Sequence, residues 1–352
     1  MTVIASILGN GWFYQFSDVL VTRDSNSEED KRIKTPLDFV ENRSISGFTQ
    51  EYFLKKTIVS NNSVLASFAG SVVKGVAGLK VIDSVSDQML QEWSLQPAWD
   101  ALGEYFQTNS ISDVSFVISM VKTEDNRLNI LGNSSGCERL QLENCIIRVQ
   151  GSGKSIFLDP NFISSFEDLE FISEKRSDDA TAFVISRLPQ LYVSSILDEN
   201  FDYFRTGGWF DVYTVDKRGF YRLDYTIVVM SAIEPRLKIE RIVRMVEING
   251  HSVIVEIGLK DQELLIYDVA FFNVKDRFTK KKEKMSLQLL EKALKYTITE
   301  KVDGSVIIYQ KEPGKIVAGY TSTVPFSFKN DGKISIVIDE EKIGELIDAL
   351  RH

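Results

Sequence analysis

One residue can carry both halves of an acid–base pair, and this chain opens with a candidate, Met1-Thr2. A small residue at position 2 permits removal of the initiator methionine. That would expose a threonine with a hydroxyl and a free α-amine. Such an amine titrates near about 7.7–8.0 in peptides. It can therefore accept the proton of its own hydroxyl, which is the logic of an N-terminal threonine nucleophile. Many chains begin Met-Thr without such chemistry, so other residues must converge on Thr2. Histidine offers little alternative, because the chain has only His251 and His352. A Ser-His-Asp triad or a His-rich metal site would have to use one of these. Any enzymatic reading thus turns to a base other than histidine.

Three further groups stand in order behind Thr2. Asp18 lies in Phe16-Ser17-Asp18-Val19, sixteen residues after Thr2. Lys56 lies in Leu54-Lys55-Lys56-Thr57, and Gly70, fourteen residues later, lies in Phe68-Ala69-Gly70-Ser71. Gly151-Ser152-Gly153 and Asp202-Tyr203-Phe204-Arg205-Thr206-Gly207-Gly208 follow. Over residues 2–235 this arrangement resembles the proteasome β-subunit family and the related bacterial ATP-dependent peptidases. In that family a nucleophilic threonine is followed by an aspartate in an S-D motif, then a lysine and a glycine fourteen apart. A Gly-Ser-Gly comes next, and then a serine before two glycines. Here Thr206 replaces that serine, and Asp202 sits four residues upstream rather than three. The gap from Asp18 to Lys56 is longer by about twenty-two residues, matching a polar stretch at 23–47.

The resemblance implies a threonine-type peptidase or amidohydrolase of the N-terminal-nucleophile class, built as a four-layer αββα sandwich. Its site would comprise Thr2, Asp18, Lys56, Gly70, Ser152, Asp202 and Thr206, with no cofactor and no metal. Lys56 would place a cation beside the α-amine and lower its pKa, since like charges disfavour each other's ionisation. Asp18 would hold Lys56 charged and oriented. The Gly70 N–H would receive the oxyanion of a tetrahedral intermediate, a donor of a kind worth roughly 3–4 kcal/mol. The resemblance also implies a peptide or protein substrate, a homo-oligomer and an ATPase or adaptor partner. The alternative is a non-catalytic scaffold or assembly subunit. Read singly, Asp18 and Lys56 are a turn residue and a solvated charge, and the glycines are turn residues. Gln150-Gly151-Ser152-Gly153-Lys154-Ser155 ends like a phosphate-binding loop, but Arg148 occupies the place of the required first glycine.

The elements that must position these groups follow from hydrophobic period and turn residues. Thr2–Leu8 reads as a strand, Gly9-Asn10-Gly11 as a hairpin turn, and Trp12–Thr22 as the returning strand, interrupted at Ser17-Asp18. Ile58–Phe68 is a strand pair turning at Ser60-Asn61-Asn62. Ser71–Ile82 and Gln88–Thr108 have helical spacing. Val114–Val121, Arg127–Leu131 and Asn144–Val149 read as strands. Asp178–Asn200 has a helical pattern broken by Pro189. Trp209–Val215 and Tyr221–Met230 are strands again. Beyond residue 235, strand-like runs lie at Ile239–Ile248, Ser252–Ile257, Glu263–Phe272, Ser305–Tyr309, Lys315–Tyr320 and Lys333–Ile338. Helical runs lie at Glu283–Lys295 and Glu340–Leu350. The expected organisation is a sandwich domain over 1–235 and an α+β module over 236–352 of unassigned role, with recognition of a partner as one hypothesis for it.

Composition bounds the rest. The 352 residues are 43% hydrophobic and 26% charged, the balance of an ordinary globular protein able to bury a large core. Net charge is −9, and residues 236–352 hold 20 basic against 18 acidic side chains, so the first 235 carry the acidity. That argues against nucleic acid, which needs a basic footprint. The run Lys280-Lys281-Lys282-Glu283-Lys284 reads as a solvated turn. The start MTVIASILGNGWF lacks a basic leader, and no apolar run approaches the roughly 18 residues of a membrane span. Cys137 and Cys145 show no metal-ligand spacing. A cytoplasmic protein with reduced thiols is therefore expected.

Overall fold

The computed structural model describes residues 3–9, 12–24, 48–107, 113–124, 127–151, 153–160, 163, 209–223, 225–233, 236–248, 251–258, 263–270, 305–312, 315–321, 326–330 and 334–338. The chain divides into two compact units. The first draws on Met1–Ala180, Asp198–Leu223 and Ala270–Arg277, and the second on Thr181–Leu197, Asp224–Val269 and Phe278–His352.

In the first unit, β1 (Val3–Gly9) returns as β2 (Phe13–Asp18). The turn is closed by the Gly9 N–H on the Trp12 carbonyl. β3 (Leu20–Asp24) pairs with β4 (Phe48–Leu54), and residues 25–47 lie outside the described set. β5 (Thr57–Ser60) and β6 (Val64–Gly70) turn at Asn61 and Asn62, both at positive φ, which asparagine tolerates. Helices α1 (Val72–Ser84), α2 (Ser86–Glu92) and α3 (Gln96–Gln107) follow. The expected single helix at 88–108 is two, because Trp93 ends α2 in the left-handed region and Pro97 sits in the first turn of α3. Then come β7 (Val114–Glu124), β8 (Arg127–Ser135), β9 (Glu138–Gln141), β10 (Cys145–Gly151), the one-turn α4 (Lys154–Phe157), β11 (Phe210–Asp216) and β12 (Gly219–Arg222).

Apart from β3 and β4, these strands form two antiparallel sheets of order β12-β11-β2-β1-β10-β9 and β5-β6-β7-β8. Alternation gives each strand two faces. On β2, Phe13 and Gln15 look toward the second sheet, while Phe16 packs on Phe157 of α4 with ring centroids 5.3 Å apart. Between the sheets Phe13, Leu65, Val121, Tyr213, Val215 and Phe220 form an apolar cluster. On β6, Ser67 and Ala69 look inward, and Phe68 looks out to α1. Helix α1 approaches closely because Gly75 and Gly78 line its buried face. A Cβ on Gly75 would meet the Phe68 ring at 1.9 Å, and one on Gly78 the Phe116 ring at 2.3 Å.

The four-layer αββα sandwich is not what the described residues build. They are 57% strand and 25% helix, so sheet dominates, and the sheets are antiparallel. Helices α1, α2 and α3 belong to one side of the β5–β8 sheet. Among the described residues, only the single turn of α4 packs on the other sheet, against β1 and β10. The physical reason is that element order along a chain does not count layers. Strands, helices and strands in succession fit several two-sheet arrangements equally well.

The described residues of the second unit are strands. β13 (Thr226–Ile233), β14 (Arg236–Ile248), β15 (His251–Gly258) and β16 (Glu263–Ala270) form an antiparallel meander. β17 (Ser305–Glu312) joins β13 in parallel and turns back as β18 (Lys315–Thr321). β19 (Phe326–Asn330) and β20 (Ile334–Ile338) pair as a hairpin. The helical runs expected at 178–200, 283–295 and 340–350 lie outside the described residues. No helix among the described residues is long and apolar enough to cross a membrane.

The glycine contact on α1 is testable. Gly75→Ala should destabilise the protein by about 1–3 kcal/mol, the usual cost of overpacking. This outweighs the roughly 1 kcal/mol helix-propensity gain of alanine over glycine. Urea unfolding midpoints of the two proteins check it.

Candidate active site

The β1–β2 ladder ends where Ile4 stands opposite Ser17. One step further the Asp18 side chain takes over from the backbone. Its Oδ1 accepts the Val3 N–H at 2.9 Å and the Lys56 ammonium at 2.9 Å. Asp18 is 0% and Lys56 1% exposed. The pairing is enforced by main-chain bonds on either side. Val19 N–H donates to the Trp209 carbonyl, and Leu54 N–H donates to the Val19 carbonyl. Phe68 N–H donates to the Lys56 carbonyl, so Lys56 is pinned where β5 begins. Burial pushes the Lys56 ammonium below its ordinary value, and the attraction of Asp18 and its hydrogen bond oppose that push.

Behind this pair runs a chain of hydroxyls. Ser17 Oγ lies 2.8 Å from Thr57 Oγ1, which lies 2.6 Å from Ser67 Oγ. Gln15 Nε2 donates to Ser67 Oγ at 2.5 Å. All four residues are buried. Ser17 adjoins Asp18 and Thr57 adjoins Lys56, so the chain cross-links the two strands that carry the ion pair. Residue-by-residue motif reading missed Gln15, Thr57 and Ser67. The available signal was polar residues at alternate, inward positions of otherwise apolar strands, as in Phe13-Tyr14-Gln15-Phe16-Ser17 and Val64-Leu65-Ala66-Ser67-Phe68.

Gly70 closes β6, two residues past the Phe68 anchor, about 7 Å of strand away. Its φ is +104°, and a Cβ there would meet the Asp113 carbonyl oxygen at 2.1 Å. Only glycine fits. The next N–H, of Ser71, is taken by Asp113 O at 2.8 Å, and α1 starts directly after. Asp18, Lys56 and Gly70 therefore share one end of the β5–β6 pair.

Thr2, Ser152, Asp202 and Thr206 lie outside the described residues. Their covalent neighbours locate two of them along the chain. Thr2 is bonded to Val3, whose nitrogen rests on Asp18. Ser152 follows Gly151, which stands opposite Val3 in the β1–β10 ladder. No cluster of His, Cys, Asp or Glu able to hold a metal occurs among the described residues.

No family model matches the chain, and no curated protein matches it.

The ion pair predicts two behaviours. Asp18→Ala should cost about 3–5 kcal/mol, because it strands a buried ammonium, and a second change Lys56→Met should recover much of that loss. Chemical denaturation of the single and double variants checks the coupling. The pH dependence has a definite sign. A lysine whose folded pKa is lowered binds fewer protons folded than unfolded in the window just below its ordinary 10.5. Its penalty is present at lower pH and is relieved as pH rises through that window. Wild-type stability measured relative to Lys56→Met should therefore increase from pH 7 toward pH 10 in urea melts.

Proposed function

We propose that the chain is a hydrolase of amide bonds whose nucleophile is the Thr2 hydroxyl, freed with its α-amine by removal of Met1. The observation that carries this reading is the Asp18 carboxylate. It holds the backbone nitrogen next to Thr2 and the Lys56 ammonium on the same oxygen, with both side chains buried. A threonine at that place has a cation nearby that is costly to bury. That cation keeps the α-amine short of protons and ready to act as base.

The chemistry then runs through the chain's own groups. The Thr2 amine takes the hydroxyl proton as Oγ1 attacks the amide carbonyl carbon. The carbonyl oxygen gathers negative charge facing the Gly70 N–H, at the mouth of α1, where backbone dipoles favour an anion. The ammonium returns its proton to the leaving amine, and the C–N bond breaks. Water repeats the sequence on the ester and restores the hydroxyl. The proteasome-like pattern gives Ser152, Thr206 and Asp202 the role of supporting that amine. Peptides are the substrate class that this pattern implies. A homo-oligomer and an ATPase or adaptor partner belong to the same reading.

The test joins N-terminal mass to reactivity. The active protein should lack Met1, and an epoxyketone, which reacts with hydroxyl and amine together, should add to Thr2 alone. Thr2→Ala should abolish both adduct and hydrolysis of fluorogenic peptides, and Thr2→Ser should keep a measurable rate. Activity in protein that retains Met1 would refute the reading.

A further inference from the structure

The hydrogen-bond pattern of β6 fixes where the Gly70 N–H points. Ser71 N–H donates to the Asp113 carbonyl at 2.8 Å, and Val121 N–H donates to the Ser63 carbonyl at 2.9 Å. Both bonds follow the β6–β7 register, in which Gly70 stands opposite Val114. Bonded positions alternate along an antiparallel ladder. Ser71 and every second residue before it therefore bond to β7, and Gly70 and Phe68 turn their N–H groups to the other side. Phe68 shows this directly, because its N–H donates to the Lys56 carbonyl at 3.1 Å. The Gly70 N–H thus points away from β7, to the side of β6 on which Lys56 lies.

The β7 side of Gly70 carries an anion. The Asp113 carbonyl oxygen abuts Gly70, where a Cβ would meet it at 2.1 Å. Covalent geometry keeps the Asp113 carboxylate within about 5 Å of that oxygen. A carboxylate so placed repels negative charge gathering at the Gly70 N–H. Solvent weakens that repulsion, but the separation is within the roughly 10 Å over which charges act at 0.1 M salt.

A cation answers it. Lys74 Nζ lies 2.7 Å from Asp113 Oδ1, with 28% of the lysine side chain and 54% of the aspartate side chain exposed. Lys74 belongs to the first turn of α1, which holds no acid, and the Ser71 side chain makes no capping bond there. A cation at a helix N-terminus opposes the helix dipole. An ion pair this exposed adds little to folding stability. Neither the helix nor the fold accounts for a lysine at this position, whereas the charge of Asp113 does.

We propose that Lys74 is a positioning residue for the hydrolysis: it holds and neutralises the Asp113 carboxylate, so the oxyanion forming at the Gly70 N–H meets no opposing charge from the β7 side. This rests on the hydrolase reading above. Lys74 touches no reacting atom and acts through Asp113. The amide carbonyl of a bound substrate is neutral, and its oxygen becomes charged only as Thr2 attacks. The effect therefore belongs to the transition state and is read in kcat, with KM little changed.

Hydrolysis of an uncharged fluorogenic peptide by full-length Lys74→Met, and by the same variant carrying Asp113→Asn as well, tests it. At low salt Lys74→Met should lose about three- to tenfold in kcat, with KM within about twofold of wild type. Raising salt to about 0.5 M should recover most of the loss, because screening then acts over a shorter distance than the charge separation. Asp113→Asn in the Lys74→Met chain should restore the low-salt kcat. A loss that neither salt nor the second substitution repairs marks a merely structural lysine and overturns the proposal, as does an unchanged kcat. Thr2→Ala, assayed beside them, separates the two readings. Wild-type hydrolysis that survives Thr2→Ala defeats the hydrolase reading and this inference with it. Thr2-dependent hydrolysis that is indifferent to Lys74 defeats this inference alone.

Discussion

One carboxylate oxygen holds the first unit together at its most demanding point. Asp18 Oδ1 accepts from the Val3 backbone and from Lys56, and both side chains are buried. Desolvating both charges is expensive, and attraction offsets that cost only where geometry is tight. The tightness comes from neighbours rather than from the pair. Val19 is bonded to Trp209 on one side and Leu54 on the other, and Lys56 is bonded to Phe68. Strands β2, β5 and β6 must therefore keep their register for the pair to exist. A one-residue slip would turn Asp18 and every inward side chain to the opposite face.

The space between the two sheets follows from the same demand. One part is ordinary core, with Phe13 against the Phe220 ring at 5.3 Å. The remainder is polar: Gln15, Ser17, Thr57 and Ser67 make a continuous hydrogen-bonded chain. Ser6, Ser119 and Arg148 extend that strip along β1, β7 and β10. Apolar side chains would fill this volume with less electrostatic cost. Buried polar groups demand partners, and satisfied networks restrict a core to one arrangement. In this protein the network borders the ion pair, so the two constraints reinforce each other.

The helices are subordinate to that arrangement. α1 lies close to β6 and β7 because two glycines at i and i+3 remove the side chains that would hold it off. The Ser60 hydroxyl ties the β5 turn to Asp83 near the end of α1, at 2.5 Å. Gly70, at the junction of β6 and α1, has a left-handed φ and no room for a Cβ. The position that the proposed mechanism gives to an oxyanion donor is thus one where the backbone admits only glycine, and the backbone alone explains the residue.

How much of this was legible in advance differs by level. Strand and helix positions followed from hydrophobic period and turn residues, because alternation and 3.6-residue spacing are local properties. Strands at 3–9, 57–60, 64–70 and 210–216 lie close to where the pattern placed them. Asp18, Lys56 and Gly70 were singled out only through the resemblance to the proteasome family, since read one at a time they were a turn residue, a solvated charge and a turn glycine. What local pattern could not supply was the layer count, the break at Trp93, the parallel pairing of β17 with β13, or the hydroxyl chain behind the ion pair. Those depend on which strands lie side by side, and side-by-side placement is decided by contacts between residues far apart in the chain. Arg148 makes the same point: as a residue type it is an ordinary strand cation, and only its placement beside Ser6, Arg139 and the Gly132 carbonyl makes it a buried one.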